Sequence, residues 1–350
     1  MANIAEEMKN KLFISFFKIL GIFLFSFGIF ELAITLIFTF PCLAKFGFLD
    51  AIRELYNRKT RVLIQMERKY ARYDPELGYT LKPGTFLFSN PEFRTRFRVN
   101  RLGVRDNKES LDYPEIVVVG DSFAMGWGIK QHETFAERIE ALTGLKTLNA
   151  AISSYGTVRE MRILGRINMK KVKYLVIQYC DNDYIENKAF ADNHNNLKVW
   201  SRKEYKNIRN TYQEEKRYFF GKYTLFVVDK LFKSIIQNTE HIRPMSDETK
   251  DEVEVFINAL LNANKTDLRK VKIIIMQFNM LHRGNYDFID YLEKYLASAN
   301  LPKYLKGAKL IDVSKVLTSR HYYTLDDHIT AEGHKIIADE ILKVMDLGGD

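Results

Sequence analysis

Ile116-Val117-Val118-Val119-Gly120-Asp121-Ser122-Phe123-Ala124-Met125-Gly126-Trp127-Gly128 is the stretch that decides how this chain folds. Four β-branched residues in a row read as a strand buried on both faces, the kind found in parallel sheets. The run breaks at Gly120 and leads through Asp121 and Ser122 into what reads as the start of a helix. Such a turn carries its residues to the carboxyl end of a strand, where open α/β sheets receive their ligands. Ser122 is therefore a candidate nucleophile. The plainer reading is a strand-to-helix N-cap, which Asp and Ser both favour.

Working outward, the chain alternates. The strand at 115–120 is followed by patterns for a helix at 134–142, a strand at 146–149 and a helix at 158–169. Next come a strand at 174–179, a helix at 253–263, a strand at 271–278 and a helix at 286–297. A strand at 309–313 and a helix at 331–344 close the chain. Strand and helix in turn predict an α/β fold, a three-layer sandwich around a mainly parallel sheet. A basic, aromatic, mostly helical insertion interrupts the alternation at 184–250. It begins beside the loop holding Asn182, which suits a lid or substrate-selecting element, and equally an appendage with no substrate contact.

At the far end, Asp326-Asp327-His328 precedes Ile329-Thr330-Ala331-Glu332-Gly333-His334 and the last helix. A serine after an early strand and an Asp/His pair before the last helix are the parts of an acyl-transfer triad. With these parts in view, the chain resembles the SGNH (GDSL-type) hydrolase family. Gly120-Asp121-Ser122 matches the first block. Leu148-Asn149-Ala150-Ala151-Ile152-Ser153-Ser154-Tyr155-Gly156-Thr157 supplies the second-block glycine, Gly156. Tyr174-Leu175-Val176-Ile177-Gln178-Tyr179-Cys180-Asp181-Asn182-Asp183 supplies the third-block asparagine, Asn182, and His328 completes the last. The resemblance covers 113–346 and implies a flavodoxin-like sheet with Ser122 as nucleophile and His328 as base. It also implies an oxyanion hole made of the Ser122 and Gly156 N–H groups and the Asn182 amide. Two departures stand out. The family's Asp lies three residues before His, where this chain has Leu325, so Asp326 is taken as the third triad member with Asp327 as the alternative. Cys180 and Asp181 occupy positions where the third block usually has a glycine near its asparagine.

The chemistry needs these residue types. A serine hydroxyl is a weak nucleophile until a neutral imidazole takes its proton. A carboxylate behind the imidazole sets its tautomer and stabilises the cation that forms. Charge on the tetrahedral oxygen needs preorganised donors. Taken singly, Gly156 also reads as an ordinary turn glycine and Asn182 as a cap or Asx-turn residue.

The chain has 350 residues, 46% hydrophobic and 13% aromatic, enough for one substantial core with appendages. Its formal charge is +9, with basic residues gathered at 53–72 and 201–223 among aromatics. No nucleic-acid motif accompanies them, so an anionic membrane surface or glycan is the expected partner, with a solvated helix face as the alternative. Cys42 and Cys180 form neither a disulfide framework nor a metal site. His132, His194, His241, His282 and His321 lack ligand spacing, and His334 reads as packing against the last helix. No metal or cofactor is predicted.

Residues 19–44 carry one charge, Glu31, and are long enough to cross a bilayer as a single helix. A charge at the midplane costs about 2.5–3.5 kcal/mol on insertion scales. Lys9, Lys11 and Lys18 flank one side; Lys45, Arg53, Arg58, Lys59 and Arg61 flank the other. Counting them places the long domain in the cytoplasm, but large domains translocate largely regardless of charge. Anchored members of the family act on envelope or exported glycans, which implies a periplasmic or extracellular face.

The expected plan is an anchor at 1–46, an amphipathic stalk helix at 47–73, a β-rich preamble at 74–112 and the SGNH-like domain at 113–346. In the preamble, Phe93-Arg94-Thr95-Arg96-Phe97-Arg98-Val99-Asn100 alternates as a half-solvated strand. Its Asp74-Pro75-Glu76-Leu77-Gly78-Tyr79 and Asn100-Arg101-Leu102-Gly103-Val104-Arg105 resemble the preambles of bacterial SGNH proteins from polysaccharide gene neighbourhoods. The expected function is a membrane-anchored serine esterase that removes acyl, above all acetyl, groups from a polysaccharide or glycolipid. The alternatives are an O-acyltransferase using the same triad and a non-catalytic glycan-binding scaffold.

Overall fold

The computed structural model describes residues 2–46, 49–107, 109–236, 245–278 and 287–346. In chain order its first elements are α1 (Ala2–Thr39) and α2 (Leu49–Leu55), then the strands β1 (Ala71–Asp74), β2 (Gly78–Leu81), β3 (Gly84–Asn90) and β4 (Phe93–Val99). The central run is β5 (Ile116–Val119), α3 (Ser122–Met125), α4 (Phe135–Thr143), β6 (Thr147–Asn149), α5 (Thr157–Ile163) and β7 (Tyr174–Cys180). Four helices follow: α6 (Asp183–Asp192), α7 (Arg202–Lys216), α8 (Lys222–Ile236) and α9 (Met245–Asn262). The last elements are β8 (Lys272–Phe278), α10 (Phe288–Ser298), α11 (Lys303–Lys306), β9 (Lys309–Asp312) and α12 (Ala331–Val344). The chain divides into two compact units, 1–61 with 214–241 and 62–213 with 242–350.

The larger unit is built on a five-stranded parallel sheet in the order β6-β5-β7-β8-β9. Strand side chains alternate between two cores. Val117, Val119, Leu175, Ile177, Ile273 and Ile275 face one, with Val158 of α5, Phe256 of α9 and Leu292 of α10. Ile116, Val118, Val176, Ile274 and Met276 face the other, with Ile139 of α4 and Ile337 of α12. Both faces are covered, which is why β5 and the first four residues of β7 read as unbroken apolar runs rather than alternating ones. Each such side chain contributes about 1.5–3 kcal/mol by leaving water.

Two antiparallel hairpins, β1–β2 and β3–β4, precede the sheet. Phe93, Thr95, Phe97 and Val99 point inward while Arg94, Arg96 and Arg98 are exposed. The expected helix over 158–169 stops at Ile163 and continues as the 3₁₀ turns Leu164–Arg166 and Met169–Lys171. Arg166 there forms a bidentate pair with Asp74, at 2.7 and 2.8 Å.

The stalk expected at 47–73 is not one helix. α2 ends at Leu55, runs through one π turn at Tyr56–Thr60, and gives way to extended chain before β1. Tertiary hydrogen bonds replace helical ones: Val62 N–H donates to Asn90 Oδ1 at 2.7 Å and Leu63 N–H to the Tyr212 hydroxyl at 2.7 Å. The expected insertion is also split, since 214–241 groups with 1–61 while its earlier part belongs to the larger unit.

The smaller unit contains α1, α2 and α8. The stretch Glu6–Thr39 is long and apolar enough to cross a membrane. The helix begins well before residue 19 and ends at Thr39, so 40–44 lie outside it. Glu54 of α2 pairs with Lys230 of α8 and with Arg58.

Candidate active site

β5 delivers its turn to the carboxyl edge of the sheet. Gly120 has φ +156°, and a Cβ there would lie 2.5 Å from Gln178 Oε1. That oxygen, from the fully buried side chain of Gln178 on β7, accepts the Asp121 N–H at 3.0 Å and the Ala124 N–H at 3.1 Å. Asp121 caps α3, its Oδ1 accepting the Phe123 N–H at 2.9 Å. The cap reading and the nucleophile reading thus fall on neighbouring residues. Asp121 does the capping, and Ser122 opens the helix with its hydroxyl turned elsewhere.

That hydroxyl meets His328. Ser122 Oγ lies 2.6 Å from His328 Nε2, and His328 Nδ1 is in close contact with Asp326 Oδ1. Asp326, not the family position now held by Leu325, is the carboxylate at the ring. Its other oxygen, Oδ2, accepts the Trp127 indole N–H at 3.0 Å. Trp127 and Phe123 also sandwich the imidazole, with ring centroids 4.9 and 4.7 Å away. A proton on Nδ1 directed at Asp326 leaves Nε2 to accept from Ser122.

The preamble braces this loop through residues the sequence did not single out. Glu92, in the β3–β4 turn, accepts the N–H groups of Thr324 (2.6 Å), Leu325 (2.8 Å) and Asp326 (2.7 Å). Burial raises its pKa, and those three donors only partly offset the rise. Arg105, wholly buried over the Phe97 ring at 3.7 Å, donates to the carbonyls of Met125 (3.2 Å), Gly126 and Ile129 (2.6 Å). Desolvation lowers its pKa to about 9. Gln178 was legible as a lone amide inside an apolar strand, and Arg105 as part of a quoted motif. Glu92 carried no local signal.

The loops after β6 and β7 bond to the turn after β5 and to each other, the Ile152 N–H donating to the Gly120 carbonyl at 3.1 Å. The Asn182 amide donates to Asp121 Oδ2 at 3.3 Å, and its side chain does not cap α6. Thr157 donates to Asp183 Oδ2 at 3.1 Å. Gly156 N-caps α5 with an ordinary φ of −96°, so it is not a glycine for conformational reasons. Space is the reason, since a Cβ would sit 2.8 Å from Glu186 Cβ. Arg159 pairs with Glu186 at 2.6 Å and joins the two loops. From the outer side, Gln65 accepts from Ser153 at 3.2 Å and donates to Ser154 at 2.9 Å, while Tyr205 of α7 donates to the Gln65 carbonyl at 2.6 Å.

Glu160 and Asp183 are buried beneath these loops, and burial with mutual like charge holds both carboxyls well above the ordinary range. Asp121 is raised too, chiefly by burial. His334 is buried against Phe135 and accepts its N–H at 3.2 Å; burial, then Arg105, lower its pKa well below the usual value. Among the described residues no group of three or more His, Cys, Asp or Glu side chains is placed to hold a metal.

No family model and no curated protein matches the chain. Solved structures do. A member of the lipolytic protein G-D-S-L family from Veillonella parvula DSM 2008 is 12% identical with a TM-score of 0.36, the match covering 66% of this chain and 97% of that one. Phospholipase A1 from Streptomyces albidoflavus NA297 is 12% identical with a TM-score of 0.31, over 65% of this chain and 97% of its own. A carbohydrate esterase family 2 enzyme from Corynascus thermopiles (Myceliophthora fergusii) is 11% identical with a TM-score of 0.34, over 69% of each chain. None of these likenesses carries weight for activity or substrate. The chain has a parallel α/β fold with the sheet order β6-β5-β7-β8-β9, and the Ser122, Gly156 and Asn182 segments follow its adjacent strands β5, β6 and β7.

Proposed function

We propose that this chain is a membrane-anchored serine esterase that removes acyl groups, above all acetyl, from a cell-envelope or exported polysaccharide, with its larger unit on the outer face. The observation carrying the reading is the 2.6 Å contact of Ser122 Oγ with His328 Nε2, backed by Asp326 on Nδ1. In this reading His328 takes the hydroxyl proton as Ser122 attacks the ester carbonyl. Asp326 stabilises the imidazolium, and the proton passes to the departing sugar alcohol. The Ser122 and Gly156 N–H groups and the Asn182 amide receive the oxyanion. Each such donor is worth about 10²–10³ in turnover. Water then repeats the cycle on the acyl-enzyme and releases free acid.

The polysaccharide part of the reading is supported by the preamble motifs and the basic, aromatic surface. The anchor is supported by the length and hydropathy of Glu6–Thr39. The test is fluorophosphonate labelling of the full chain together with acid release from acetylated polysaccharide. Labelling of wild type but not Ser122→Ala, with free acetate formed, is the expected result. Absence of adduct under conditions that label control esterases refutes the esterase, and acetyl appearing on an added acceptor glycan instead of as free acid assigns a transferase. Protease digestion of intact cells tests the outer placement, which fails if the larger unit is shielded.

A further inference from the structure

α1 is bare along one stretch and covered along the next. Residues 6–26 are exposed throughout, Phe23 and Phe25 among them. Beyond Lys11 the run 12–30 holds Lys18 as its one charge, and at 1.5 Å per residue it is about 28 Å long, close to the hydrocarbon thickness of a bilayer. From Phe27 onward one side of the helix is packed, while Ile29 and Leu32 stay exposed. The Phe27 ring lies 6.0 Å from Phe220, and Phe38 meets Tyr223 edge-on at 5.2 Å. Gly221, at φ +90°, comes so near that a Cβ would lie 2.7 Å from Phe27.

Glu31, the charge in the apolar run, is buried on this packed side. Its carboxylate accepts the Thr224 N–H and hydroxyl, each at 2.8 Å, the Tyr223 N–H at 3.3 Å and the Tyr218 hydroxyl at 3.1 Å. Tyr223 and Thr224 begin α8, so Glu31 serves as that helix's anionic cap. What α8 leaves uncovered is apolar. Leu225, Val228 and Phe232 form an exposed stripe, preceded by Phe219 and Phe220; Phe220 is 69% and Phe232 64% exposed. An exposed Asp229–Lys233 pair at 2.7 Å borders the stripe.

We propose that α8 and the turn at 218–220 form a second membrane-contacting element, seated in the interfacial layer of the bilayer that α1 crosses. An apolar stripe bordered by charge suits that layer. Lipid is the occupant because the uncovered apolar surface of α8 continues the bare surface of α1 on the same unit. The crossing segment then falls near 12–30 rather than 19–44, with Glu6, Glu7, Lys9 and Lys11 at the N-terminal headgroups, Lys18 snorkelling toward them and Glu31 at the opposite membrane edge instead of the midplane. This inference rests on the anchor reading of α1.

The test uses the full chain in a Cys42→Ser background, with Phe23→Cys, Phe220→Cys, Phe232→Cys or Asn207→Cys carrying an environment-sensitive fluorophore. Each labelled protein is reconstituted in phosphatidylcholine/phosphatidylglycerol vesicles with nitroxide lipids quenching at shallow or deep positions. The expected result is quenching of positions 220 and 232 by the shallow nitroxide about threefold stronger than at 207, with position 23 quenched by the deep one. Positions 220 and 232 quenched no more than 207, while 23 is quenched, overturns the second element and leaves the anchor standing. If 23 escapes the deep nitroxide as well, the anchor reading fails and takes this inference with it.

Discussion

Glu92 and Glu31 do the same physical work in two unlike regions. Each carboxylate gathers several donors from a segment distant in sequence. Glu92 belongs to a densely packed unit where it fixes the loop carrying Asp326 and His328. Glu31 belongs to a unit whose apolar surface is largely uncovered, and it holds the start of α8. In the first region the carboxylate adds positional accuracy to a site already enclosed. In the second it is the main polar tie in an otherwise apolar contact. Losing the first should therefore show in catalysis, and losing the second only in local order.

The largest effect expected is on the catalytic side. Asp326→Asn should lower kcat by about 10⁴ by favouring the wrong imidazole tautomer, while Asp327→Asn should change it little; steady-state kinetics on a chromogenic ester decides. The reverse ranking would remove Asp326 from the triad and empty the comparison of its catalytic half.

Next comes Glu92→Ala, which strips three backbone N–H groups of their acceptor. We expect kcat to fall about 10²-fold with KM little changed, as for a misplaced catalytic group. Stability should drop by about 2–3 kcal/mol in urea unfolding. Glu92→Gln, which keeps an acceptor oxygen, should recover part of both. An unchanged kcat in Glu92→Ala would reduce Glu92 to a structural brace.

Asp106 sharpens the comparison, since it also accepts backbone N–H groups, from Asn149 and Asn107, each at 2.6 Å. Burial raises its carboxyl from 3.8 to about 8 in spite of them. A raised folded pKa means the native state holds the extra proton. Its contribution to stability is thus complete below about pH 4 and is lost as pH rises toward about 8. Unfolding midpoints measured across that range should fall with pH, and Asp106→Asn should flatten the slope.

The smallest effect is expected at Glu31→Ala. Loss of the anionic cap should cost about 1 kcal/mol at the start of α8, seen as faster limited proteolysis after Lys222, with ester turnover unchanged. A large loss of turnover would mean that the two regions are coupled.

Much of the larger unit was legible from local pattern. The apolar runs at 116–119 and 174–177, buried on both faces, read as parallel strands, and Ser122, Gly156, Asn182 and His328 stood at the block positions of the resemblance. The stalk helix over 47–73 was misjudged because the Val62 and Leu63 N–H groups donate to residues far along the chain, which no local periodicity reports. The reason for glycine at 156 was equally hidden, since it is the nearness of Glu186 rather than a turn.

By itself, the order of residues along this chain determined the strand-and-helix alternation and the apolar N-terminal helix, because those follow from neighbours within a few positions, and it marked Ser122 and His328 as candidates. Only the tertiary structure decided which aspartate backs the imidazole, that Glu92 braces the loop bearing it, and that Glu31 caps a helix near residue 222. The two glutamate contacts join side chains to backbone groups roughly two hundred residues away, and what decides them is the competition between burying a charge and finding donors for it.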